Sequence, residues 1–239
     1  MQVEIWSDVV CPWCYIGKRR FETALEKFEH ADAVDVVWRS FELDPSAPTD
    51  GELDLVTRLA NKYGVSRAQA EAMNQRVTDL AAAEGLEYRL DIARPGRTFD
   101  AHRLLHLAAD RDRQDQVKEA MLAAYQTQGE PIADHAALTR VAVAAGLEEG
   151  EVREVLAGDR YADGVRHDER EARQLGISGV PFFVIDRRFG VSGAQSSELL
   201  LGALEQAWAE RNPLEMVADA ADELEADACG PDGCDLPTR

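Results

Sequence analysis

Apolar positions along this chain change period twice, from strand-like to helical and back. Residues 3–6 read as a short strand, and Val34-Asp35-Val36-Val37-Trp38-Arg39-Ser40-Phe41, rich in β-branched and aromatic side chains, reads as a second. Between them Phe21, Leu25 and Phe28 recur at helical spacing, and Pro12 suits the first position of that helix. A connection punctuated by Pro and Asp covers residues 43–48, and the period then stays near 3.6 for most of the next hundred residues. Five helices are marked there: by Leu55, Leu59 and Tyr63; by Met73, Val77 and Leu80; by Leu104, Leu105 and Ala108; by Val117, Met121 and Tyr125; and by Leu138, Val141 and Ala145. Gly64, Gly85, Gly129 and Gly146 fall near helix ends, where a left-handed cap favours glycine. The Met and aromatic stripe reads as core rather than as a cofactor box.

Strand character returns at Pro181-Phe182-Phe183-Val184-Ile185-Asp186, and Arg187-Arg188-Phe189 can turn the chain into Gly190-Val191-Ser192-Gly193, a hairpin. A helix starts at Ser196-Ser197-Glu198, and Asn212-Pro213-Leu214-Glu215 carries a second start signal. The expected division is a first strand-helix-strand part at 1–45, a helical subdomain at 46–168, a second sheet-forming part at 169–212 and an acidic helix and tail at 213–239. From 215 to 239 there are eight acids and one base, which suits a solvated tail with partial helix.

Charge narrows the function. The 239 residues carry 45 acids and 26 bases, a net charge of −19, with 45% hydrophobic and 30% charged side chains. That balance is globular. With no basic stripe to neutralise phosphates, no nucleic-acid or membrane partner is expected. No run approaches the roughly 18 apolar residues of a membrane span. The first cation is Lys18, too late for a signal peptide, so a cytoplasmic location is expected.

Four cysteines remain, as Cys11 with Cys14 and Cys229 with Cys234. Cys11-Pro12-Trp13-Cys14 stands where a strand feeds a helix, and the unpaired N–H groups of a helix start stabilise a thiolate. Cys11 is therefore the expected exposed nucleophile and Cys14, a turn further in, the more buried resolving thiol. Pro12 fixes the turn, and Trp13 offers no cation, so the disulfide should be less oxidising than one enclosing a histidine. Such a pair also opens zinc sites, and Cys229 and Cys234 are candidates to complete one; the redox reading leads, with no metal and no cofactor expected. Gly179-Val180-Pro181 precedes a strand, where a cis-proline is the favoured reading beside a distant CxxC.

Three segments together carry a resemblance: Ile5-Trp6-Ser7-Asp8-Val9-Val10-Cys11-Pro12-Trp13-Cys14-Tyr15-Ile16-Gly17, then Phe99-Asp100-Ala101-His102-Arg103-Leu104, then Gly176-Ile177-Ser178-Gly179-Val180-Pro181-Phe182-Phe183-Val184-Ile185-Asp186. Over residues 2–210 the chain resembles the FrnE branch of the DsbA-like thioredoxin-fold oxidoreductases. The resemblance implies an α/β thioredoxin fold with an inserted all-helical subdomain. It makes Cys11, Cys14 and Pro181 the catalytic residues, with Pro12, Trp13, Val180 and His102 lining the substrate site. Protein thiols and disulfides are the implied partners, with glutathione a further candidate, and isomerisation is an implied activity.

Several positions keep two readings. His102 is either a residue facing the cleft or a structural histidine of a helical face. Glu4 is either a buried acid relaying a proton to the resolving thiol or a surface glutamate. Lys18, Arg19 and Arg20 either attract an anionic thiol or form a solvated face, with Lys18 pairing Glu22 one turn on. Gly-Pro-Asp-Gly between Cys229 and Cys234 suits a type I turn, which would let the pair close as an accessory redox site. The competing function is that of kappa-class glutathione transferases and glutathione-dependent isomerases, which share the resemblance in fold but typically hold Ser at the position of Cys11 and lack the second cysteine.

Overall fold

The computed structural model describes residues 1–48 and 54–211. Strand β1 (Gln2–Ser7) is central in a four-stranded sheet. Its parallel neighbour is β2 (Asp35–Ser40), reached through helix α1 (Pro12–Lys27), with Val3 opposite Val36 and Ile5 opposite Trp38. On its other side β3 (Phe182–Ile185) runs antiparallel, Val3 facing Ile185, and β4 (Phe189–Ser192) completes the hairpin. Asp186 and Arg187 turn that hairpin in the left-handed region, and Asp186 also exchanges backbone and side-chain hydrogen bonds with Gln2. Sheet and hairpin follow the expected order.

Alternation along β1 assigns the two faces. Val3 and Ile5 pack with Phe21 and Ala24 of α1 and with Leu200 and Leu204 of the last helix, α9 (Ser197–Arg211). Trp6 points to the opposite face, among Ala172, Ile177 and Val184. Because both faces are covered, all of β1 beyond Gln2 is buried, as a central strand of an α/β layer should be.

On the second face α8 (Ala162–Gln174) packs on Trp6, and it belongs to a helical layer with α2 (Leu55–Tyr63), α3 (Arg67–Ala83), α4 (Phe99–Ala109), α5 (Gln114–Gln126), α6 (His135–Ala144) and α7 (Glu149–Ala157), in which α3 and α5 pack against α1. Leu104, Val117, Met121, Tyr125, Leu138 and Val152 form its core. All four expected glycine caps have positive φ. Two marker residues depart from expectation: Tyr63 is 54% and Met73 42% exposed. A 3.6 period identifies an amphipathic face without supplying its partner, and α2 has no buried residue.

Helix α8 runs unbroken through the boundary expected between 168 and 169. Its polar side chain Asp168, 1% exposed, joins the helical layer to the sheet. One carboxylate oxygen accepts from the Ser40 amide at 2.9 Å and lies 3.2 Å from His106 Nε2. The other accepts from Arg39 Nη1 at 3.2 Å, while the Asp168 carbonyl accepts from Trp6 Nε1 at 3.0 Å. Burial pushes this carboxyl up, but His106, the Ser40 amide and Arg39 outweigh it and hold it below the ordinary range.

A carboxylate depressed in the folded state stabilises the protein above its unfolded value of about 3.9 and loses that contribution as pH falls through the folded value. Asp168→Ala should therefore lower the unfolding free energy at pH 7 by about 3 kcal/mol, the order expected for breaking a buried pair. Urea titrations at pH 7 and pH 3 check it: the difference between variant and parent should shrink in acid.

Candidate active site

Cys11 caps the N-terminus of α1 from an extended conformation, and Pro12 occupies the first helical position. The turn is closed by the Cys11 amide donating to the Asp8 carbonyl at 3.2 Å and the Cys14 amide donating to the Cys11 carbonyl at 3.1 Å. Both cysteines are thiols, 3% and 1% exposed. The order of burial is as expected, but Cys11 is not the exposed group it was expected to be. Its Sγ lies under the loop before β3, 3.5 Å from the Val180 carbonyl. Trp13, 41% exposed, is the solvent-facing member of the motif, with Pro12 and Val180 half-buried around it.

With one charge on the pair, Cys11 is pushed well above the ordinary thiol range by its hydrogen bond with Cys14, by burial and by the Cys14 charge, against the favourable pull of the Cys14 amide.

Pro181 is buried and the Val180–Pro181 peptide is cis. Its ring rests on α1 at Gly17, where a Cβ would stand 2.9 Å from Pro181 Cγ. That contact is possible only without a side chain at 17, a requirement the sequence reading did not single out. The Pro181 carbonyl accepts from Gly193 at 2.8 Å, so the hairpin anchors the proline from behind.

The helical layer grips the other side of the motif. Tyr88, 5% exposed, donates through its hydroxyl to the Pro12 carbonyl at 2.6 Å. Burial pushes this phenol up, with the Cys11 and Cys14 charges adding to it. From α5, Lys118 donates to the Ser7 carbonyl at 3.5 Å and Gln126 to the Val9 carbonyl at 3.4 Å, both side chains fully buried. None of these three emerged from the sequence reading. A signal existed for Lys118, which shares a helical face with Met121, Leu122 and Tyr125 and so places a charge in phase with a core stripe.

His102, expected at the cleft, is 0% exposed, and its Nε2 lies 3.3 Å from Asp8 Oδ1. It stands behind the cysteine loop rather than on a substrate surface, because α4 is the central helix of the covering layer. Asp8 is itself fully buried. Burial pushes its carboxyl up, but His102, the Leu43 amide and the Lys118 charge prevail and hold it below the ordinary range. Glu4 is buried, contrary to a surface role, yet its partners are Arg39 and Arg187. It shares Trp6's side of β1, facing α8, whereas the cysteines belong to α1 on the other side. A proton relay from Glu4 to Cys14 is not supported by that placement.

Lys18 does pair with Glu22, but it is 2% exposed and also meets Asp115 and Glu119. Arg19 is bound to Glu119 and Glu22, and Arg20 to Glu84 and the Ala194 carbonyl. This basic run is a network of ion pairs rather than a solvated face. Cys229 and Cys234 lie outside the described residues.

Gly17→Ala tests the proline contact. A ring atom cannot swing away as a flexible side chain can, so the variant should lose about 1–3 kcal/mol, the usual cost of overpacking. It should also change the alkylation rate of Cys11, because the loop over the thiol must shift. Thermal unfolding and iodoacetamide kinetics on the same preparation measure the two effects.

The DSBA-like thioredoxin domain family matches residues 2–205. Among solved structures, a probable DsbA oxidoreductase from Streptomyces coelicolor is 51% identical, with a TM-score of 0.86 and 100% of both chains covered. The cytosolic disulfide reductase DsbM from Pseudomonas aeruginosa, in a structure with GSH, shares the fold at 15% identity and a TM-score of 0.59, covering 89% of this chain and 98% of that one. The uncharacterized protein YwbO of Bacillus subtilis is 26% identical over 187 residues, 77% of this chain and 86% of its own. The family match runs through the helical layer as well as the sheet. Tyr88, His102 and Lys118 thus stand inside the domain that defines the group, and the chain belongs to the DSBA-like thioredoxin domain family, a family of thiol-disulfide oxidoreductases.

Proposed function

We propose that this oxidoreductase exchanges disulfides with protein substrates through Cys11, with Cys14 as resolving thiol, in the manner of the FrnE branch and in the cytoplasm. The observation that carries the reading is the Cys11 Sγ at the start of α1, 3.5 Å from the Val180 carbonyl, with a second thiol one turn behind it.

In the reductive direction the Cys11 thiolate attacks one sulfur of a substrate disulfide. A Cys11–substrate S–S bond forms, the substrate S–S bond breaks, and the second substrate sulfur leaves as a thiolate that takes up a proton. Cys14, deprotonated, then attacks the Cys11 sulfur. The Cys11–Cys14 bond forms, the substrate leaves reduced, and two electrons have passed to it from the cysteine pair. The same steps reversed oxidise a dithiol, and release after the first step permits isomerisation. An extended substrate segment lies across Trp13 and pairs with the backbone at Val180, as in strand addition.

Glutathione is a second thiol partner in this reading, supported by the fold likeness to a disulfide reductase whose structure contains GSH. A purely glutathione-dependent small-molecule isomerase is the weaker reading, because it leaves Cys14 without a task. Cys229 and Cys234 serve as an accessory pair passing equivalents to Cys11 and Cys14.

Insulin reduction tests the assignment. Cys11→Ser should abolish it, while Cys14→Ser should accumulate mixed disulfides visible by mass under non-reducing conditions. Wild-type activity in Cys11→Ser would overturn the nucleophile assignment. Truncation after Ala228 should slow turnover when glutathione is the electron source; unchanged turnover removes the accessory pair from the mechanism.

A further inference from the structure

Lys118 is a buried cation without an ordinary explanation. It is 0% exposed, and its one hydrogen bond among the described residues is the long contact of 3.5 Å with the Ser7 carbonyl. The Trp38 ring lies 5.4 Å from its Nζ. No carboxylate pairs with it among the described residues, whereas the neighbouring Lys18 has Glu22, Asp115 and Glu119. Removing an ammonium from water carries a large penalty that a carbonyl and a ring face do not repay.

The charged groups facing it come from the β1–α1 loop and from α1. They are Asp8, Cys11, Cys14 and, with opposite effect, Lys18. Asp8 is already held by His102 Nε2 and the Leu43 amide. Lys118 also helps hold Asp8 ionised, and the cysteine pair is the second anion that it faces. Ser7, which it holds, lies four residues before Cys11, and the loop between them is pinned again by Gln126 from the same helix.

We propose that Lys118 is a positioning residue that supplies the counter-charge for the Cys11–Cys14 thiolate, so that α5 of the helical layer sets the reactivity of the pair. This deepens the disulfide-exchange reading and rests on it. Burial outweighs the pull of the Cys14, Asp8 and Cys11 charges and brings the ammonium down to about 8, so the cation persists at neutral pH. Stabilising the thiolate favours the reduced protein, because the disulfide has no charge to offer Lys118 in return. The coupling is reciprocal: oxidation of the pair must make Lys118 easier to deprotonate.

Two measurements test this, and neither needs turnover. Titration of the Lys118 ε-carbon resonance in the full-length protein, reduced and oxidised, should show a midpoint at least one pH unit lower in the oxidised form. Lys118→Met should move the alkylation profile of the pair up by about one unit, a tenfold slower reaction at pH 7. It should also shift the glutathione exchange equilibrium tenfold, about 30 mV toward a more reducing couple. Equal Lys118 midpoints in both redox states overturn the proposal, as does a folded Met variant with an unchanged alkylation profile. If that variant does not fold, the wild-type titration decides alone. Failure of insulin reduction would sink the disulfide-exchange reading without altering either result, so the two ideas fail separately.

Discussion

A carboxylate sealed from water between a sheet and a helix must be matched at every oxygen, and Asp168 is matched by groups from three other elements. The Ser40 amide and Arg39 come from β2, His106 from α4, and Trp6 of β1 reaches the carbonyl of the same residue. This fixes the helical layer against the sheet in one register, since a shift by a single turn would strand the charge. The position of α4 follows, and with it His102 behind Asp8. The position of α5 follows in turn, through the α4–α5 core of Leu104, Val117 and Met121. The cysteine loop is thus shaped from behind by elements whose placement depends on a polar junction some distance away.

The sheet, α1, the hairpin and most of the helical layer were legible because their apolar residues keep a clear period. Helix α8 was not. Its buried face holds Val165 and Ala172 but also Asp168 and Glu169, so the core-facing stripe reads as polar. Likewise the CxxC and the proline were legible as local motifs, whereas Tyr88, Lys118 and Gln126 touch the motif from 76 or more residues away. Glu4 shows the opposite failure: its closeness in sequence to the cysteines suggested a shared site, and strand alternation sent it to the other side of the sheet.

The basic residues near the cysteines divide by environment rather than by type. Lys18 and Arg19 spend their charge on neighbouring carboxylates, while Arg103, on α4, divides its own between the Asp100 carboxylate and the Gly158 and Arg160 carbonyls. Lys118 has no carboxylate partner among the described residues and is conspicuous for being buried as well. Function in this domain is divided accordingly: the sheet and α1 present the sulfur atoms, and the helical layer supplies the electrostatic surroundings in which they react.

The topology also bears on synthesis. Strand β1 can pair with β2 once about forty residues have been made, but its other edge waits for β3, since Val3 lies opposite Ile185. At roughly 5–20 residues per second a ribosome takes about seven to thirty seconds to cover that interval. Throughout it an apolar central strand has an open row of amides and carbonyls, the template on which chains mispair. The helical layer is made during this wait, and its own core of local contacts can form before β3 exists. For a nascent chain, then, the hairpin that carries the proline is the piece that closes the sheet, and the active site is among the last features to be assembled.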